Sequence, residues 1–161
     1  ERWQGRDLQT AAEFIKESAT LIRQINPNVK IVIGAPFAPD LNFEQMVFEM
    51  ARLRLPIGDY WYGVHAYNNS EDVELKMRAV KRVLMQYRIP QRIVVSELGA
   101  NTPEWQRNRL ARMTERAFSL NERNPTLICL HEAQGENEWT IDWEATKSVF
   151  NWAQDELLNV P

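Results

Sequence analysis

At 161 residues, with a formal net charge of -3 and 44% hydrophobic residues, the chain is long enough to bury one substantial core, and a single domain over residues 1–161 is expected. A charged fraction of 25% beside that apolar content excludes a disordered chain, and the slight acidity supplies no basic field for nucleic acid or an anionic membrane. No apolar run approaches the roughly 20 residues that span a bilayer. The lone Cys129 excludes an internal disulfide or a Cys-rich metal site, and its place in the run Leu127-Ile128-Cys129-Leu130 predicts a buried, inert thiol. The sequence opens on Glu1 rather than methionine, which reads as a processed or partial chain.

In chain order, Ala11, Phe14, Ile15, Ile22 and Ile25 fall on one helical stripe that Asn26-Pro27 terminates. A strand over Ile31 to Ala35 follows. Asn42 then opens a second helix as its cap, with Gln45 placed for a capping box and Phe43, Met46, Val47 and Met50 inward. Tyr60 to Ala66 is the second strand. The third helix carries Val73, Met77, Val80, Leu84 and Tyr87 and stops at Ile89-Pro90, before a strand at Ile93 to Val95. Thr102-Pro103-Glu104 starts the fourth helix with a cap, a first-turn proline and an acid at the positive helix end. Leu110, Met113, Ala117 and Leu120 continue it to Asn124-Pro125. The run Leu127 to Leu130 is the fourth strand, and Asp142 opens a last helix with Val149, Phe150, Ala153 and Leu157 inward.

Strand and helix thus alternate at roughly 30-residue spacing, the length of a β/α unit. Nearly continuous Val/Ile runs are those of parallel strands covered on both faces. The class is α/β, and two architectures fit: an open doubly wound sheet or part of a closed barrel. With six glycines and neither GxGxxG nor GxxxxGK[ST], the chain lacks the phosphate turn of an open nucleotide-binding sheet, which favours the barrel.

In a barrel the chemistry lies where strands end at their C-termini. Those ends read Gly34-Ala35-Pro36, His65-Ala66-Tyr67, Ser96-Glu97-Leu98-Gly99 and His131-Glu132. Glu97 follows an apolar strand directly and is either a rim ion pair or a group held for chemistry. His65 and Tyr67, two residues apart, share a face and are placed to orient a neighbouring carboxylate; a histidine satisfied in the core beside a packing tyrosine is the plainer alternative. His65, His131 and Glu132 lack HxH or HExxH spacing, so no metal site is expected. Among Trp61, Trp105, Trp139 and Trp143, Trp139 at the end of the polar stretch that starts at Gln134 is the best sugar-stacking candidate, whereas Trp143 and Trp152 suit helix packing.

These residues together resemble clan A glycoside hydrolases, the retaining (β/α)8 TIM-barrel enzymes. Asp59-Tyr60-Trp61-Tyr62-Gly63-Val64-His65-Ala66-Tyr67 is similar to their sixth strand, and Ile93-Val94-Val95-Ser96-Glu97-Leu98-Gly99 to the seventh, which ends in the nucleophile. Val29 to Ala35, after Ile25-Asn26-Pro27, resembles the fifth, and Leu127 to Glu132 stands as the eighth. The likeness covers nearly the whole chain in order. It implies four consecutive β/α units, the C-terminal half of such a barrel from the end of strand four to helix eight. Strand four of the family ends in Asn-Glu, so the resemblance makes Glu1 the acid/base.

The implied function is retaining hydrolysis of a glycosidic bond in an oligo- or polysaccharide, with Glu97 as nucleophile. His65, Tyr67, Trp139, His131 and Glu132 would bind substrate, and no cofactor is required. The family's eighth strand usually delivers a tryptophan, where this one ends in His131-Glu132. Four strands leave two edges open, so the expected partners, besides a carbohydrate, are a preceding half-barrel segment or a second copy closing the barrel. The competing reading is a non-catalytic carbohydrate-binding or scaffold protein derived from such a barrel. An aldolase would want a lysine at a strand end, and none of the four offers one.

Overall fold

A computed structural model describes residues 7–34, 41–120, 128–130, 147 and 151. Its elements in order are α1 (Asp7–Ile25), β1 (Val32–Ile33), α2 (Leu41–Arg52), a single 3-10 turn (Ile57–Asp59), β2 (Trp61–Tyr67), α3 (Ser70–Gln86), β3 (Ile93–Gly99), α4 (Pro103–Leu120) and β4 (Ile128–Leu130). The strands form one parallel sheet in the order β1-β2-β3-β4, so the mixed α/β class holds. Val32 pairs with Trp61 and Ile33 with Tyr62 at one end of that order, and Val95 pairs with Ile128 at the other. Among the described residues no helix is long and apolar enough to cross a membrane.

The chain divides into two compact units, Glu1–Val64 with Arg78–Val94, and His65–Met77 with Val95–Pro161. In the first, Phe43, Met46, Val47 and Met50 of α2 are all buried, as their spacing predicts. Phe43 meets Tyr62 edge-to-face at 5.6 Å between ring centroids. The Tyr62 hydroxyl donates to the Ile57 carbonyl at 2.7 Å, and Arg92 donates to the Gly58 carbonyl at 3.2 Å, so the 3-10 turn is tied down from β2 and from the residue before β3. α2 begins at Leu41, which puts Asn42 in its first turn rather than at its cap.

The α1 stripe differs from the expected one. Leu8, Ala11, Ala12 and Ala19 are buried, while Phe14, Ile22 and Ile25 are exposed. Both sets repeat at helical spacing, but the small alanines let α1 approach its neighbour closely and the bulky residues turn outward.

α2 and α3 end alike. After α2, Leu55 N–H donates to Met50 at 3.0 Å and Arg54 N–H to Ala51 at 2.9 Å; after α3, Ile89 N–H donates to Leu84 at 2.8 Å and Arg88 N–H to Met85 at 3.0 Å. This is the Schellman pattern, with Arg54 (φ 58°) and Arg88 (φ 55°) in the left-handed position that usually takes glycine. Pro56 and Pro90 follow two residues after these arginines and prevent helix continuation.

In the second unit, Val73 and Met77 of α3, Ala66 of β2, Val95 and Leu98 of β3, and Leu110, Met113 and Ala117 of α4 are buried. The Thr102 hydroxyl caps α4 by accepting from Trp105 N–H at 3.1 Å. Cys129 is exposed rather than buried. It lies in β4, at the end of the sheet order, where a strand has a neighbour on one side only among the described residues. The last predicted helix lies outside the described residues except for Lys147 and Asn151, which are helical.

Candidate active site

His65, Tyr67 and Glu97 come together at the C-terminal ends of β2 and β3. On β2 the period of two separates them from the core: Tyr62, Val64 and Ala66 are buried on one face, while His65 and Tyr67 are half-buried on the other. β3 runs through Gly99, four residues past the apolar run that predicts it, so Glu97 is inside the strand. It is not in regular register there. β3 advances from Val95 to Leu98 while β4 advances only from Ile128 to Leu130, a bulge of one residue at Ser96-Glu97. A bulge re-aims the side chains it carries, and Ser96 and Glu97 are the two residues of β3 that are not buried.

The Tyr67 hydroxyl donates to Glu97 Oε2. His65 Nδ1 lies 3.5 Å from that same oxygen, with side-chain exposures of 17% for His65 and 30% for Glu97. That separation is long for a hydrogen bond, so Tyr67 is the direct donor and His65 an ionic neighbour whenever its ring is protonated. A carboxylate held by a neutral donor, with limited access to water, keeps one defined orientation and is fit to act as nucleophile or electrostatic stabiliser.

A second layer of contacts, which the sequence reading missed, fixes Tyr67. Asn69 caps α3, its side chain accepting from Asp72 N–H at 2.7 Å. Asp72 Oδ2 accepts from the Tyr67 N–H at 2.8 Å and sits 2.9 Å from Lys76 Nζ, which itself lies 5.5 Å from the centre of the Tyr67 ring. The cap was legible in Asn69-Ser70-Glu71-Asp72; the reach of Asp72 back to Tyr67 was not. Asn68, with φ 70°, donates from its N–H to Gly99 at 2.8 Å, and its side chain accepts from Asn101 N–H at 3.2 Å. Arg109 donates to the Asn68 carbonyl at 2.9 Å and stacks 3.9 Å from the Trp105 ring centre. The loops after β2 and β3 are therefore stitched to each other and to α4. Buried Gln106 completes this by donating to the Ala100 carbonyl at 3.0 Å.

Glu1, His131, Glu132, Trp139, Trp143 and Trp152 lie outside the described residues. Trp61 lies under Lys30, 5.4 Å from the ammonium, and Trp105 has one face covered by Arg109. Among the described residues no three His, Cys, Asp or Glu side chains gather around a metal position. Family models, curated proteins and solved structures return no match to the chain.

Proposed function

We propose that this chain carries the nucleophile side of a retaining glycoside hydrolase, built on the C-terminal four β/α units of a (β/α)8-barrel. One observation carries the reading: a carboxylate in a strand bulge, held by a tyrosine hydroxyl and faced by a histidine, all at the C-terminal ends of neighbouring parallel strands. Both partners meet the same oxygen, Glu97 Oε2, which supports a carboxylate held in one orientation for chemistry.

In the reaction the Glu97 carboxylate attacks the anomeric carbon, the bond to the leaving oxygen breaks, and a general acid protonates that oxygen. The same residue, now a base, takes a proton from water. The hydroxide attacks the anomeric carbon, the ester to Glu97 breaks, and the carboxylate returns. Resemblance assigns the acid/base role to Glu1; retention asks for the two carboxyl groups about 5–5.5 Å apart. Tyr67 holds Glu97 for the attack and stabilises it again as it departs. A preceding half-barrel segment, or a second copy, would close the barrel by pairing with the end strands β1 and β4.

The test is covalent. A panel of fluorosugar or epoxide inactivators is incubated with the protein, and intact mass and peptide mapping follow. A stoichiometric adduct on Glu97, absent in Glu97→Gln, supports the enzyme and names the sugar class. Sugar binding without any adduct supports the non-catalytic carbohydrate-binding protein instead.

A further inference from the structure

We infer that Lys76 is a positioning residue of this site, acting on Glu97 through Tyr67; the inference rests on the reading of Glu97 as nucleophile. One carboxylate oxygen ties the arrangement together. Asp72 Oδ2 accepts the Tyr67 N–H at 2.8 Å and holds the Lys76 ammonium at 2.9 Å, so it fixes both the backbone of the tyrosine and the cation over its ring. The ammonium lies 5.5 Å from the ring centre, within cation–π reach. The far end of the same ring donates its hydroxyl to Glu97.

A positive charge on the ring face draws electron density from the phenol and makes it a stronger donor. When the glycosyl ester breaks, negative charge returns to Glu97, and a stronger donor stabilises it at that moment. Lys76 therefore assists the departure of Glu97 without touching substrate. An ordinary i,i+4 helix pair would explain Asp72 and Lys76 alone, but such pairs stand in water, whereas these side chains are only 24% and 15% exposed. Nor would a plain helix pair share its carboxylate oxygen with the tyrosine backbone.

The experiment is a double-mutant cycle on the lifetime of the trapped glycosyl adduct. The wild type, Lys76→Met, Lys76→Arg, Tyr67→Phe and the Lys76→Met/Tyr67→Phe pair are labelled with a fluorosugar, freed of excess reagent, and followed by intact mass. Lys76→Met, which keeps the apolar stem, should lengthen the adduct lifetime about three- to tenfold, the scale of one partly desolvated cation–π contact. Lys76→Arg should restore it. In the Tyr67→Phe background the same substitution should change the lifetime less than about twofold, because no hydroxyl remains to be strengthened. Equal lengthening in both backgrounds, or none in the first, overturns the inference.

A fluorine label keeps the two ideas separable. 3-Fluorotyrosine at position 67 should shift its resonance in Lys76→Met and return in Lys76→Arg. If no probe labels the protein, the nucleophile reading fails, and the fluorine spectrum still decides the coupling. An unmoved resonance overturns it.

Discussion

Tyr67→Phe is the sharpest perturbation of the site, because it removes one oxygen and leaves the ring. That oxygen is the donor to Glu97 Oε2. A hydrogen bond to a charged group contributes about 1.5–3 kcal/mol by mutation. Glu97 is 30% exposed, so water replaces part of the loss, and the lower end, about 1.5–2 kcal/mol, applies. At about 1.4 kcal/mol per tenfold, that is a ten- to thirtyfold effect. It falls mainly on the second half-reaction, in which Glu97 leaves as a carboxylate and charge accumulates on the oxygen that Tyr67 serves. Tyr67→Phe is therefore expected to label on Glu97 and then turn over slowly, so that adduct accumulates. Intact mass against time, after removal of excess fluorosugar, reads this directly. An adduct lifetime equal to that of the wild type would refute the reasoning, as would adduct formation slowed alone.

Three further outcomes concern the scaffold. Arg54→Gly and Arg88→Gly relieve left-handed backbones at φ 58° and 55°; each should stabilise by up to about 1 kcal/mol, measured by chemical denaturation. Thr114 is 4% exposed, and its hydroxyl oxygen is buried without a hydrogen-bond partner. Thr114→Val should then be neutral or stabilising by about 1 kcal/mol, since the substituted methyl carries no desolvation penalty; a clear fall in melting temperature would contradict the unpartnered hydroxyl. Burial raises the Tyr62 phenol above its ordinary 10.0, with the negative charge of an ionised Tyr60 adding to it. A raised folded-state value means the contribution is complete below pH 10.0 and is lost as pH climbs above it. Tyr62→Phe should flatten this alkaline loss of stability while costing about 1 kcal/mol at neutral pH for the Ile57 hydrogen bond.

Periodicity along the chain was enough to determine the α/β class, the order of elements, and the inward faces of α2, α3 and α4. Those faces carry large residues at regular spacing, and only one packing buries them: Phe43, Met46, Val47 and Met50 on α2, Val73, Met77, Val80 and Leu84 on α3, Leu110 and Met113 on α4. His65 and Tyr67 were legible as a pair because strand geometry places residues two apart on one face. On α1 the sequence was ambiguous. It carries two apolar stripes that share Ala11, which is buried as expected; hydrophobicity pointed on to Phe14, Ile22 and Ile25, whereas the buried face continues through Leu8, Ala12 and Ala19. Cys129 shows the same limit, since a continuous apolar run does not say which strand will end the sheet order.

The site needed the three-dimensional structure for three things, two of them between distant segments. The bulge at Ser96-Glu97 depends on registering β3 against β4, a pairing between segments about thirty residues apart with no local signature. Asp72 reads as one more acid in the first turn of α3, and the geometry of the short turn from β2 into that helix makes it a ligand for the Tyr67 backbone, five positions back. Arg109 is an ordinary helix residue until α4 carries it to Asn68, 41 positions away in sequence. Local pattern reports what each residue contributes to its own helix or strand. Which oxygen a hydroxyl meets is set by contacts between distant segments, and those exist only once the sheet has formed.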